Sequence, residues 1–328
     1  ESGGLQHLVQ PGQDLGEIIA RAAPGDEVIV WPGTYVGATV RGLVGRPDAP
    51  IVVKGLRPDE PPVIDGGAWG LRLLGARHVH VQDLVVRGSR IDGTEVAPGE
   101  DGTASRDVRF ERVRVEDVGH RAGRHGFSIV RAVDVELRDV RVAGWTGSGI
   151  EIVGSHRVVV DGAELRGRDR GELLGIRLRA GSRGATVRGV RLVEPGLGAI
   201  ALGGRSRDAD FPADDEADRD GRRWEVVAPT IEDVLVVGGE IGLAFLGATR
   251  ASINHLTIVD ARRAAVRFAR PRDDEAFGTV DASGLSRSLF AWRTEAAPVL
   301  VEVAPGATDE GLWLEENLWW REAAPLPA

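Results

Sequence analysis

The sequence predicts an all-β fold: one right-handed parallel β-helix of about ten coils, with a helical amino-terminal cap. Three observations predict it. First, one pattern recurs between His125 and Gly204. A Gly or Ala opens a short alternating run, as in Gly126-Phe127-Ser128-Ile129-Val130, Gly149-Ile150-Glu151-Ile152-Val153, Gly175-Ile176-Arg177-Leu178-Arg179 and Ala199-Ile200-Ala201-Leu202-Gly203. Second, a turn and two more alternating runs follow each opening, such as Val133-Asp134-Val135-Glu136-Leu137 and Val140-Arg141-Val142. The runs have period two, with no helical spacing inside the repeat. Third, the opening glycines 126, 149 and 175 lie 23 and 26 residues apart. One such unit cannot close a core alone, whereas stacked units form a continuous apolar column. A β-sandwich also has many short strands, but it does not repeat one pattern so faithfully.

Taken in order, residues 1 to 13 read as a polar lead-in. Residues 14 to 23 read as a short amphipathic helix, with Asp14 as N-cap and Pro24-Gly25 as the stop. Such a helix would cover the apolar end of a solenoid. Asp26 to Trp31 is the next strand and Pro32-Gly33-Thr34-Tyr35 a turn. Coils follow at Gly70 to Leu74 with His78 to Val81, at Val108 to Glu111, and through the repeats above. A charged excursion spans 205 to 224, and the alternation resumes at Thr230. Later coils open at Gly242 and Ala265, with a second excursion at 270 to 284. The aromatic segment 311 to 328 is expected to close the last coil. The whole chain, 1 to 328, is read as a single domain.

The 328 residues carry a net charge of -9, which argues against a nucleic-acid partner. No run of apolar residues is long enough to span a membrane as a helix. Cysteine is absent, so neither disulfides nor thiolate chemistry are open to this chain. There is no Met, one lysine (Lys54) against forty arginines, and asparagine only at 254 and 317. Heat adaptation, a GC-rich genome and engineering would each produce that bias. The chain starts without Met, which is consistent with a removed leader and a secreted or periplasmic protein.

The run QDLGEIIARAAPGDEVIVWPGTYVG (13–37), followed by GRPDAPIVVKG and PPVIDGG, resembles the amino-terminal end of secreted right-handed parallel β-helix proteins. These include polysaccharide lyases of the pectate lyase, chondroitinase B and alginate lyase type. The block GEIGLAFLGATRASINHLTIV resembles a late coil of the same proteins. The resemblance implies an extracellular carbohydrate-active protein whose partner is an acidic, uronate-bearing polysaccharide. Hydrolases, epimerases and non-enzymes share that opening, so it specifies the fold more than the reaction.

In such a coil the second residue after the opening Gly points outward and stacks from coil to coil. That column is Arg72, Ser128, Glu151, Arg177, Ala201, Ala244 and Arg267, with Arg179 in the next outward position. The turns entering it carry His120, Arg124, His125 and Trp145. β-Elimination needs a cation for the uronate carboxylate, a base for the C5 proton and an acid for the leaving oxygen. Arg177 or Arg179 suits the carboxylate, and His125 suits the base, with Glu151 beside them. An arginine base at Arg177 is a role that the family resemblance permits. Arg124, His120 and Ser128 are candidate substrate contacts, and Trp145 a candidate sugar platform. A hydrolase would instead pair carboxylates, Glu151 with Asp169 or Glu172, although polygalacturonase-type and epimerase-type signatures are absent. A non-catalytic glycan-binding or structural module is the further alternative, and exposed Arg and Glu can simply solvate a face. Glu216, Asp218 and Asp220 alternate before Gly221 as in a calcium loop, but Val227 stands where such a loop needs Glu. His78 and His80 share a strand face without an evident third metal ligand.

Overall fold

The computed structural model describes residues 4–119, 123–168, 173–204, 206–212, 221–272, 276–293 and 299–322. The fold is a right-handed parallel β-helix built almost entirely of strands. It divides into two compact units, Glu1–Ile150 and Glu151–Ala328, taken here in turn.

Each coil of the first unit has three sides. One side stacks Gln6–Val9, Glu27–Val30, Ile51–Gly55, Arg77–Gln82, Arg106–Glu111 and Val133–Arg138, all parallel. The second stacks Thr34–Tyr35, Val63–Asp65, Val85–Arg87, Arg114–Glu116 and Arg141–Ala143. The third, called the front, stacks Ala38–Arg41, Leu71–Leu74, Thr94–Ala97 and Phe127–Val130. The second unit repeats the plan. Its front runs through Leu174–Arg179, Gly198–Gly203, Ile241–Leu246, Ala264–Phe268 and Val299–Val303. Inward positions are mostly aliphatic or aromatic, with Thr94 a fully buried exception between Leu71 and Phe127. Ile129, Ile150, Ile176 and Ile200 are all 0% exposed, as the repeat requires.

The corner between the first two sides is made by one left-handed residue. In the first unit Asp83, Arg112 and Asp139 hold φ of 57°, 52° and 50°. In the second, Gly162 and Gly189 take the same place before Asp233, His255, Arg287 and Glu316. A single αL residue turns the chain sharply while both flanking strands keep their ladders. Non-glycine residues accept a cost of roughly 1–2 kcal/mol each to do it.

The opening glycines have a different cause. They do not need positive φ; they lack room. A Cβ on Gly93 would lie 2.3 Å from Val115 Cγ1, and one on Gly126 would lie 2.4 Å from Val142 Cγ1. One on Gly175 would lie 2.3 Å from Leu192 Cδ2. The second side's inward side chain fills the space that a Cβ would take.

Four expectations are adjusted. The lead-in contains a strand, Gln6–Val9, paired with Glu27–Val30. The helix covers Leu15–Ala20, shorter than 14 to 23, with the Asp14 carboxylate accepting the Glu17 N–H at 2.9 Å. The second excursion ends earlier than expected, since ladder pairing resumes at Val280–Asp281 and Ser283–Ser286. Finally, the aromatic segment forms two strands of a coil, Leu312–Glu315 and Leu318–Arg321. Trp319 stacks on Phe290 at 4.0 Å, while Trp313 and Trp320 stay about half exposed.

Candidate functional site: the outward column of the front

In the first unit the register sets Thr39, Arg72, Glu95 and Ser128 side by side on the outward face. The Arg72 Nε donates to Glu95 at 2.6 Å, and its guanidinium lies 4.1 Å over the Trp69 ring. Ser128 is nearly covered, at 5% exposure. Glu95 and Trp69 belong to this face but not to the sequence-derived candidates.

The turn before the front holds a second ladder. The His125 N–H donates to Asp92 Oδ1 at 2.8 Å, and the Ser148 N–H donates to His125 Nδ1 at 3.0 Å. An Nδ1 that accepts a hydrogen bond puts the proton of the neutral ring on Nε2. His125 therefore stands as a donor; to act as a base it must first release Ser148. Arg124 is half buried, its backbone N–H turned to Thr146 Oγ1 at 3.3 Å. Trp145 is corrected: it is 1% exposed, a core side chain with no ring face for a sugar. His120 lies outside the described residues.

In the second unit Arg177, Ala201, Ala244, Arg267 and Glu302 form the column in register. Glu151 joins Arg177 on the same face. The Arg177 Nε donates to Glu151 at 2.8 and 3.0 Å and its Nη2 at 2.7 Å. Arg179 donates to the same carboxylate through Nε at 2.7 Å and to Asp210 through Nη1 at 2.7 Å. Glu151 itself is 1% exposed. The segment 206–212 contributes to this cover. A Cβ on Gly154 would meet Asp210 O at 3.0 Å and Pro212 Cδ at 3.1 Å. The charged excursion thus packs against the coil that carries Glu151.

Burial alone would raise the Asp210 carboxyl, but hydrogen bonds from Arg207 and Arg179 outweigh it and hold it well below the usual range. For Arg179 burial favours the neutral form, yet Glu151 and Asp210 lift it above the ordinary guanidinium value. Arg177 differs from Arg179 in one respect. Its Nη1 has no protein partner among the described residues, and the side chain keeps 25% exposure. Gly204 leaves room beside it, since a Cβ there would sit 3.8 Å from that Nη1.

Close by lies a carboxyl that sequence reasoning missed. Glu225 is 0% exposed and accepts from the Ala180 N–H at 2.8 Å and from the Ser206 hydroxyl, while its Oε1 has no partner. Burial pushes its pKa above the usual glutamate value, against those hydrogen bonds and the charge of Arg272. The signal for it is faint: Trp224-Glu225 follows the excursion immediately, where the chain re-enters the core.

Among the described residues no cluster of three His, Asp or Glu side chains could hold a metal. Glu216, Asp218 and Asp220, with Asp169 and Glu172, lie outside them.

No protein-family model matches the chain, and no curated protein matches it in sequence. Solved structures do match in fold. An alginate lyase from Paenibacillus sp. str. FPU-7 aligns at TM-score 0.55 and 12% identity, over 95% of this chain and 99% of its own. A mannuronic acid specific family 6 polysaccharide lyase from human gut microbiota aligns at 0.56 and 14%, over 97% and 86%. A GH136 lacto-N-biosidase from Eubacterium ramulus aligns at 0.52 and 10%, over 97% and 68%. The shared property is the β-helix, used by lyases and hydrolases of carbohydrates alike.

Proposed function

We propose that this chain engages an acidic polysaccharide along its front, with Arg177 as the cation that meets a uronate carboxylate. One observation carries the reading. Glu151 fixes Arg177 through Nε and Nη2 and leaves Nη1 unspent beside Gly204. An arginine oriented by one carboxylate and open to a second is preorganised, so little side-chain entropy is lost on binding. A polysaccharide ligand also accords with the carbohydrate-acting proteins whose fold this chain shares.

β-Elimination is the second reading. The alginate lyases among the fold relatives favour it. Against it, Arg179 is already spent on Glu151 and Asp210, and the His125 Nδ1 lone pair is engaged.

The test is retention on immobilised pectate, alginate and glycosaminoglycans, together with the ultraviolet absorbance of new unsaturated ends. Wild-type protein should be retained on at least one acidic glycan, and Arg177→Ala should bind it about ten-fold more weakly. Equal retention of the variant would overturn the role of Arg177. Absorbance that never rises on any retained glycan would sink the elimination reading and leave binding intact.

A further inference from the structure

A cavity of about 500 Å³ opens in the first unit, where the front strands Ala38–Arg41, Leu71–Leu74 and Thr94–Ala97 end. Its size falls within the range of small-ligand sites. The loop after Ala97 builds one wall. Gly99 lies against Gly75 of the preceding coil, where a Cβ on Gly75 would come within 3.2 Å of Gly99 Cα. Gly99 and Thr103 close the loop with an N–H to carbonyl bond of 2.8 Å. Glu100 then reaches back 59 residues to the Nε of Arg41, at 2.9 Å. Leu74 and Val44 line the apolar part, and Val44 is 46% exposed.

The charges on this cavity are unequally spent. Asp101 is occupied by its own loop: it accepts the Thr103 N–H at 2.9 Å and the Thr103 hydroxyl at 2.7 Å. The Arg41–Glu100 pair is open to solvent on both sides, at 57% and 79% exposure, and so is weak and exchangeable. Arg77 lines the cavity, and its guanidinium makes no hydrogen bond or close ion pair among the described residues, though its charge acts on the Asp101 carboxylate across the same cavity. It lies directly opposite Arg106 of the next coil, which has none either. Like charges opposite one another in a ladder repel. Yet this chain has more acids than bases, and Arg72, Arg87 and Arg109 of the first unit each face a carboxylate. At the cavity wall the Arg77 guanidinium keeps its donors uncommitted, and that capacity suits an anion from outside.

We propose that this cavity is a binding site for a single carboxylate-bearing sugar. The carboxylate would sit on Arg77, with Arg41 released to it from Glu100. The apolar face of the ring would lie on Leu74 and Val44. The occupant's carboxylate is inferred from Arg77 and Arg41 on the cavity wall; that it belongs to a sugar rests on the function proposed above. The site would hold one residue of an acidic glycan apart from the Arg177 contact.

The experiment is calorimetric or NMR titration of the full chain with sodium galacturonate, sodium mannuronate, galactose and sodium acetate. At least one uronate should saturate the protein, more tightly than galactose and more tightly than acetate. Arg77→Ala should weaken that binding about ten-fold or more. Glu100→Ala should instead strengthen it several-fold, because the variant loses the competitor for Arg41. Both side chains are exposed, so circular dichroism and melting should be unchanged. Absence of saturable uronate binding overturns the site. So does equal affinity for galactose or acetate, or a loss with Glu100→Ala. Arg177→Ala should leave these affinities unaltered. Failure of that variant's polysaccharide test, alongside uronate saturation here, would remove the front contact and keep the cavity.

Discussion

The opening glycine is the residue on which the coil geometry presses hardest, and substituting it gives a sharp test. In Gly126→Ala the new Cβ would sit 2.4 Å from Val142 Cγ1 and 2.6 Å from the Gly149 carbonyl oxygen. Neither neighbour moves freely: one is a β-branched side chain in the core, the other belongs to a strand ladder. Overpacking of this kind costs about 1–3 kcal/mol, and a fixed backbone neighbour puts it at the upper end. Gly42→Ala is the control. Gly42 has φ of 62° with nothing within 4 Å of its Cβ position, so only the left-handed backbone matters, at roughly 1 kcal/mol. With about 2 cal/mol/K of unfolding entropy per residue, 3 kcal/mol lowers the melting temperature by roughly 4 °C, and 1 kcal/mol by roughly 1.5 °C. Calorimetry on the two variants measures the difference. The double variant Gly126→Ala with Val142→Ala should lose less than the sum of the singles, by about 0.5 kcal/mol or more, because the second change removes one of the clashing atoms. Equal effects of the two glycine substitutions, or strict additivity in the double variant, would refute the close-approach explanation of the repeat.

Two further outcomes follow from the buried carboxyls. Glu225 has its pKa pushed up by burial, so its stabilising contribution is full below the ordinary glutamate value and is lost as pH rises through the folded one. Glu225→Gln, which keeps an acceptor for the Ala180 N–H, should therefore raise the melting temperature more at pH 8 than at pH 5; a gain independent of pH would exclude burial of charge as the cause. Glu151→Ala removes the carboxylate of Arg177 at a covered site and leaves Arg179 with Asp210 alone. Breaking a buried pair on one side costs about 3–5 kcal/mol, read as a fall in the urea midpoint, and a loss under about 1 kcal/mol would mean that water already reaches the pair.

The fold was legible because its constraints are local and repeated. Gly126 and Gly175 mark the coil start because there is no space for a Cβ, and the outward column follows by counting two residues on. That count places Ser128, Glu151 and Arg177 correctly on the outward face. Glu95 was missed because the loop at 98–103 stretches its coil, so that Gly93 lies 33 residues before Gly126. The interval from Gly70 to Gly93, equal to that from Gly126 to Gly149, was the available signal. What the pattern could not convey is cover. Glu151 is outward in register yet sealed, since Arg177, Arg179 and the segment 206–212 close over it from 26 to 61 residues downstream. Trp145 stands at a turn, where exposure is the ordinary expectation, and is instead core.

Register also accounts for part of the arginine content. Arg72 with Glu95, Arg109 with Glu136, Arg177 with Glu151 and Arg188 with Asp161 each join residues one coil apart, between 23 and 27 positions. Strands in neighbouring coils lie about 4.8 Å apart, a gap that a planar fork spans in a fixed geometry. Lys54 makes the same kind of contact to Glu27, so position rather than residue type is what the ladder demands. The exposed pairs among these contribute only about 0.2–1 kcal/mol each. Their number is therefore poor evidence of ligand binding, since a carboxylate already occupies them. The arginines that bear on function are those whose donors the ladder leaves over. Arg177 retains one nitrogen and Arg77 keeps its guanidinium donors at a cavity wall, and this unspent capacity distinguishes them from ladder arginines such as Arg72 and Arg109.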